Sequence, residues 1–322
     1  PADVVRVIEE VAGACASTGM VYTMHIVATQ TLLAGTAGDG VNAETLREIA
    51  AGRHLSTLAY SERGSRSHFW AQVSRAVPEN GAVRIDADKS WVTSASAADS
   101  YVTAVGTPGS DDPLATDLYL IDATSEGIDV VGPFDGLGMR GNDSSPVRFS
   151  GILVPDERRL GEAGSGFALM MSATLPWFVL GSAACCLGVA GAALTTAAEH
   201  VTATRFAHMG TALADLPTVR ARLAQAQIRY LEARAYLYTV AEQIAAEAEE
   251  AQAGVLALKA AAAEAAVDIT DAAMRVCGGA AYSRHLPLER LFRDARAATV
   301  MAPTTDVLLD LMGKAITGQE LF

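Results

Sequence analysis

The stretch Val276–Asp306, VCGGAAYSRHLPLERLFRDARAATVMAPTTD, decides how this chain is read. Gly278 and Gly279 end a long alanine-rich run, because residues without a side chain are poor helix formers and good helix terminators. The Pro287-Leu288-Glu289-Arg290 turn then restarts a helix, with proline at the entry where its missing N–H costs nothing. That helix runs into Arg293-Asp294-Ala295-Arg296 and is followed by Met301-Ala302-Pro303-Thr304.

Upstream of this stretch the pattern is helical as well. Gly166 to Glu199, Leu216 to Glu250 and Ala251 to Val276 are three long runs, the last two dense in strong helix formers. With the segment from Leu288 onward they predict a four-helix bundle over residues 156–322. Several of these helices have more than one apolar face, so the bundle is expected to be the core of an oligomer.

Between residues 58 and 155 the periodicity changes. Short alternating runs such as Ala82–Asp86, Tyr101–Val105, Asp117–Ile121 and Val147–Val154 are separated by Asn80-Gly81, Pro108-Gly109 and Asp111-Asp112-Pro113. That is strand and turn chemistry, and it predicts a small, mostly antiparallel β domain. Residues 1–57 read as helical: two helices divided near Gly19, then a short one opened by Asn42-Ala43-Glu44-Thr45 and closed at Gly52. The expected fold class is therefore α+β.

Composition narrows the function. Half of the 322 residues are apolar, enough to bury a core in two or three domains. Twenty-four Lys and Arg stand against 37 Asp and Glu, a net charge of −13 that argues against nucleic-acid or anionic-membrane binding. Cys15, Cys185, Cys186 and Cys277 show no metal or redox spacing and read as free thiols suited to a reducing cytoplasm. The apolar run Phe178–Leu194 follows a proline without a basic flank, so a buried core helix is expected there, not a membrane span. No metal set and no signal peptide are expected.

The opening stretch resembles the acyl-CoA dehydrogenase family, flavoproteins whose C-terminal signature is GG-x-GY, P-x-E-R, RDA[KR] and a Glu-Gly-Thr run. The succession Leu137-Gly138-Met139-Arg140-Gly141, Val154-Pro155 and Gly164-Ser165-Gly166-Phe167 matches the family's L-G-x-R-G, V-P and G-x-G-F order. The resemblance implies a helical N-terminal domain, of which residues 1–57 are the last part, then the central β domain and the bundle. Family chains begin several dozen residues earlier, so residue 1 is expected not to be the natural start, or the member to be short.

The resemblance also implies FAD. Tyr60, Ser61 and Ser67 stand where the family has its T-E-P-x-G-S-D loop, although Arg63, Arg66 and His68 depart from it. Trp91 and Thr93 fall in the family's W-[IV]-T-[NS] segment, where the Trp packs on the flavin and the Thr hydroxyl serves N5. Arg205, Met209, Gly210 and Leu213 lie in a segment that, in the family, reaches the FAD pyrophosphate and adenine of a neighbouring subunit. A permanently charged, bidentate guanidinium suits a pyrophosphate. Arg275 and Gly279 take the place of a Gln and a Gly at the partner's FAD, and Thr304 and Asp306 fall near the adenylate side. Arg293 and Asp294 are expected to form a structural ion pair.

The usual catalytic Glu of the Glu-Gly-Thr run is Ala302 here. Ser172–Phe178, where other members place the base, contains no acid and no Arg, so the catalytic residue is left unassigned. Three functions remain open. The first is α,β-dehydrogenation of an acyl thioester (CoA or carrier protein) or other small apolar substrate, with hydride transfer to N5 and an electron-acceptor flavoprotein. The second is a reduced-flavin monooxygenase or oxidase using oxygen, and the third a non-catalytic FAD-binding subunit beside a catalytic homologue. A homo-oligomer (dimer or tetramer) or a hetero-oligomer fits these readings.

Overall fold

The computed structural model describes residues 1–66 and 68–321. Ten helices and eight strands are assigned among them. They group into two compact units that do not follow chain order: Pro1–Met20, Gly136–Met139 and Val179–Phe322 form one, Val21–Asp135 and Arg140–Phe178 the other.

The N-terminal helices are α1 (Ala2–Ala14), α2 (Ala16–Gly35) and α3 (Val41–Ala50). The break between the first two lies at Cys15, whose backbone is extended, and not near Gly19. Gly19 sits inside α2, and a Cβ there would come within 2.7 Å of the Ala12 methyl, so the glycine marks a close helix crossing instead of a turn. The capping expected at Asn42 is absent as well. Gly40 is the N-cap of α3 without a side-chain bond, while the Asn42 amide points toward the carbonyls of Glu157 and Arg159.

The β unit holds two four-stranded sheets. In the first, β1 (Ser56–Ala59), β4 (Ser100–Gly106), β5 (Thr116–Asp122) and β8 (Arg159–Leu160) lie in the order β1-β4-β5-β8, with β1 parallel to β4. In the second, β2 (Val77–Glu79), β3 (Ala82–Val92), β6 (Ile128–Val130) and β7 (Ser145–Pro155) lie in the order β2-β3-β7-β6, all antiparallel. Asn80 and Gly81, both at positive φ, turn β2 into β3 as a two-residue hairpin requires. Strand β3 alternates: Val83, Ile85, Ala87 and Lys89 point inward, while Asp86 and Asp88 face out. The apolar members join Tyr101, Tyr119, Phe149 and Ile152 in a single core cluster. The polar-turn reading of this region, with no long helix, agrees with the strands found.

A short helix, α4 (Gly166–Leu169), and a π-turn over Met170–Thr174 lead into α5 (Leu175–Ala203). Helix α5 continues an apolar run, and most of the candidate membrane window in Gly166–Ala203 is buried, as a core helix requires. The bundle is completed by α6 (Pro217–Ala245), α7 (Ala251–Cys277), α9 (Leu288–Val300) and α10 (Thr305–Thr317), with a single turn, α8 (Gly279–Tyr282), before α9. Helix α7 packs against α6, α9 and α10 and buries Ala, Leu, Val and Ile along most of its length. Helix α1 is tied to α6 by Glu9, whose carboxylate accepts from Tyr230 (3.0 Å), Arg234 Nε (2.6 Å) and Tyr238 (2.8 Å).

Candidate functional site

In the β unit one patch combines an exposed aromatic with buried polar groups. Strand β3 carries an extra residue opposite β7 between Lys89 and Val92, a β-bulge that re-aims a side chain. Trp91 is that side chain. It sits at φ 59°, is 71% exposed, and meets the edge of Phe134 at 6.4 Å between ring centroids. A bulky residue at positive φ is strained, and strain of this kind collects at functional positions.

Directly after the bulge, Thr93 is buried and its hydroxyl lies 3.2 Å from that of Ser144. The backbone is fixed on both sides, with Ser94 N bonding Asn142 O at 2.9 Å and Ala95 N bonding Asp143 O at 3.1 Å. Asp143 takes bonds from Ser96 and Ser145. Burial raises the Asp143 carboxyl, but those hydrogen bonds outweigh it and hold it below the usual range. Asn142 is buried, and its Oδ1 finds no hydrogen-bond partner among the described residues.

The loop from Tyr60 to Ser74 is locked from below. Glu62 Oε2 accepts from the backbone N–H groups of Val73 (2.6 Å) and Ser74 (2.9 Å), and Oε1 accepts from the Ser74 hydroxyl and from Lys89 Nζ at 2.6 Å. Lys89 also donates to Gln72 Oε1 and Ala104 O. Burial would raise the Glu62 carboxyl, but Lys89 and Ser74 hold it below its ordinary value. Burial lowers Lys89 despite its partner.

Of the loop residues expected at a ligand, Ser61 offers its carbonyl to Ser90 N at 2.8 Å. Tyr60 is turned inward, its hydroxyl 3.4 Å from Thr174 Oγ1, which in turn meets Thr31 Oγ1 at 2.8 Å. Tyr60 is buried, which lifts its phenol far above its ordinary value, and its hydroxyl bonds within the interior of the β unit instead of standing at the surface of the loop. Ser67 lies outside the described residues.

The bundle unit carries the remaining expected residues on separate elements. Thr204–Leu213 folds as a tight hairpin: Phe206 N bonds Thr211 O, Leu213 N bonds Thr204 O, and Arg205 pairs across to Ala212. Gly210 stands at φ 71° in its turn, and the Arg205 guanidinium returns to Gly210 O at 3.1 Å. Arg205 and Met209 are exposed, and Leu213 opens a short 3-10 turn leading into α6. Arg275 is exposed near the end of α7, 3.9 Å from Asp271, and Gly279 opens α8, where an added Cβ would meet nothing within 4 Å among the described residues.

Thr304 is the N-cap of α10, accepting from Val307 N, and Asp306 lies exposed in the first turn of that helix. The Ala302–Pro303 peptide is cis. Lys259 reaches this turn from α7: its Nζ donates to Ala298 O (2.8 Å), Met301 O (3.1 Å) and Pro303 O (2.9 Å).

Arg293 and Asp294 do not pair with each other. Arg293 donates from both Nε and Nη2 to Glu289 Oε2 and reaches Leu137 O, while Asp294 accepts from Met139 N at 2.6 Å. Both residues thus hold the Gly136–Met139 segment to α9. Gly138 packs so tightly on the Arg293 carbonyl that no side chain could stand there.

Sequence reasoning missed Lys89 and Lys259. The signals were there: Lys89 continues the inward register of Val83, Ile85 and Ala87, and Lys259 interrupts the apolar run Val255–Ala263. A lysine in a core position needs buried acceptors.

Among the described residues no three His, Cys, Asp or Glu side chains stand together as a metal site. The four cysteines are free, and burial lifts the Cys186 thiol to about 12. These are not nucleophiles at neutral pH, except that Cys15, half-exposed between α1 and α2, is lowered: hydrogen bonds from Thr18 and Ser17 outweigh the rise from burial.

Residues 164–317 match the family description "Acyl-CoA dehydrogenase, C-terminal domain". Isovaleryl-CoA dehydrogenase of Oryza sativa is 28% identical over 317 residues, which cover 98% of this chain and 75% of the relative. The butyryl-CoA dehydrogenase of Megasphaera elsdenii superposes with a TM-score of 0.92 at 22% identity, covering 97% of this chain and 81% of that one. A structure described as the FAD complex of PigA superposes at 0.90 and 20% identity, covering 98% and 82%. The chain is thus similar over nearly its whole length to acyl-CoA dehydrogenases, and its residues 164–317 match that family's C-terminal domain.

Proposed function

We propose that the chain binds FAD and works as an oxidoreductase of the acyl-CoA dehydrogenase type on an acyl thioester or another small apolar substrate. The observation that carries this reading is the β3 bulge, which turns Trp91 outward at positive φ beside the Thr93–Ser144 hydroxyl pair. FAD fits these residues on chemical grounds. The indole offers a flat face for stacking, the hydroxyls are donors, and Asn142 Oδ1 is a buried acceptor suited to a ring N–H. When bound, FAD supplies a hydride acceptor at N5.

The chain's own residues take the supporting parts. Thr93 and Ser144 present hydroxyls near the stacking face, and the Glu62–Lys89 pair keeps the neighbouring loop rigid. Arg205, exposed on a preformed hairpin, is suited to a pyrophosphate, and Arg275, Thr304 and Asp306 stand as further candidates for the nucleotide end. Ile228 and Leu231, a turn apart and exposed on α6, favour a homodimer or homotetramer in which one copy's Arg205 serves another's FAD.

Ala302 favours a second reading. With a methyl group where family members carry the base, proton abstraction from an acyl α-carbon has no carboxylate on the Met301–Thr304 turn. A FAD-holding subunit paired with a catalytic homologue, or an oxygen-using relative, needs none.

Anaerobic titration of the FAD-loaded protein separates these. Bleaching by an acyl-CoA supports dehydrogenation. Bound flavin that no acyl-CoA reduces supports the second reading, and product formation only with reduced flavin and oxygen identifies the oxygen-using form.

A further inference from the structure

The Lys259 ammonium is completely buried in the bundle, and the groups facing it from α9 and the following turn are backbone carbonyls. The last carbonyls of a helix have no partner within it, and Lys259 takes one of them, Ala298 O, at the negative end of α9. It takes two more, Met301 O and Pro303 O, from the turn itself. Those two carbonyls flank Ala302, so one cation grips the chain on both sides of that residue. Thr304 then caps α10 and fixes the far end of the turn. Burial lowers Lys259 to about 8, opposed by Cys186 on α5, which leaves the charged form in place at neutral pH. A long side chain is ordered and a charge desolvated to hold a four-residue turn whose central side chain is one methyl group, which is a large outlay for a connection that only has to join two helices.

We propose that Lys259 is a positioning residue whose ammonium holds the Met301–Pro303 turn in one backbone geometry and thereby sets where the side chain at position 302 stands. The turn is kept in order although residue 302 is alanine. It follows that a carboxylate introduced at 302 will be placed correctly only while Lys259 is present. This second consequence rests on the flavin reading above; the clamp itself does not.

The test has two arms. In the first, amide hydrogen exchange is compared between the protein and Lys259→Met, without flavin. Exchange across residues 299–307 rises by roughly tenfold or more, while amides of the β unit are unchanged. Equal protection in both proteins overturns the clamp. Should Lys259→Met not fold, Lys259→Gln, which keeps two donors, replaces it with the same criterion.

In the second arm, Ala302→Glu is compared with Ala302→Glu/Lys259→Met, both loaded with FAD and mixed with acyl-CoA. The proposal expects the double variant to reduce flavin at least about tenfold more slowly at saturating substrate, with KM little changed, because only the placement of the base is lost. Equal rates, or a loss confined to KM, overturn it. If Ala302→Glu reduces flavin no faster than the parent, position 302 is not a base position in this site and the placement of a base by Lys259 falls with it; acyl-CoA bleaching of the parent still decides the dehydrogenase reading, and the exchange arm the clamp.

Discussion

Lys89 Nζ lies 2.6 Å from Glu62 Oε1 with both side chains removed from solvent, so the loop that begins at Tyr60 is tied by a buried ion pair to the strand that presents Trp91. Removing one partner strands the other. Lys89→Met is expected to destabilise the protein by about 3–5 kcal/mol, and Lys89→Met/Glu62→Gln by clearly less. Urea unfolding of the two variants and the parent measures both, and additive losses would contradict the pairing.

The same pair sets an acid limit. The folded-state pKa of Glu62 is depressed: burial raises it, but Lys89 and Ser74 more than reverse that. Its stabilising contribution is therefore present above the unfolded carboxyl pKa and is lost as pH falls through the lower folded value. Glu62→Gln should be less stable near neutrality and show a flatter loss of stability on acidification. A parallel downward shift of the whole pH curve would show that another carboxylate governs it.

Trp91 should matter for binding and little for folding. It is exposed, so Trp91→Ala is expected to leave the melting temperature nearly unchanged. It should weaken FAD by about 1 kcal/mol, roughly fivefold, the scale of one aromatic stacking contact. Fluorescence titration with FAD reads the affinity.

Arg205→Ala is expected to weaken FAD by roughly tenfold, as when one charge-assisted hydrogen bond is lost. In concentration-dependent sedimentation the parent is expected to assemble, and FAD to favour the assembled form. Unaltered FAD affinity in the variant would remove Arg205 from the site.

Glu9 joins α1 to α6 through three donors, with the Arg234 guanidinium also 4.9 Å from the Tyr238 ring centroid. Burial and the adjacent Glu9 raise the Tyr230 phenol to about 12, so both tyrosines donate at neutral pH. Glu9→Ala should cost about 2–3 kcal/mol in thermal or urea unfolding, since buried donors lose a charged acceptor.

How much of this was legible in the sequence depended on the range of the forces involved. The bundle and the sheets follow from periodicity, because burial of an apolar face is written in local spacing. Gly19 was misread as a break because glycine serves both turns and close helix crossings, and only the approach of Ala12 decides between them. Asn42 has the composition of a cap but meets carbonyls from a distant segment, at Glu157 and Arg159. Arg293 and Asp294 are neighbours in sequence but point to different partners, Glu289 a turn earlier and the Met139 amide from another segment. For the candidate site the family motif points to Trp91 and Thr93, whereas the bulge that exposes Trp91 depends on register against β7, which no single strand encodes.

The central claim is that this chain holds a flavin. The most direct measurement is the visible spectrum of the protein after incubation with FAD and removal of free ligand by gel filtration. The account predicts a yellow protein whose flavin absorbance elutes with it at about one equivalent per chain. A colourless protein that takes up no FAD at any oligomer concentration would contradict it.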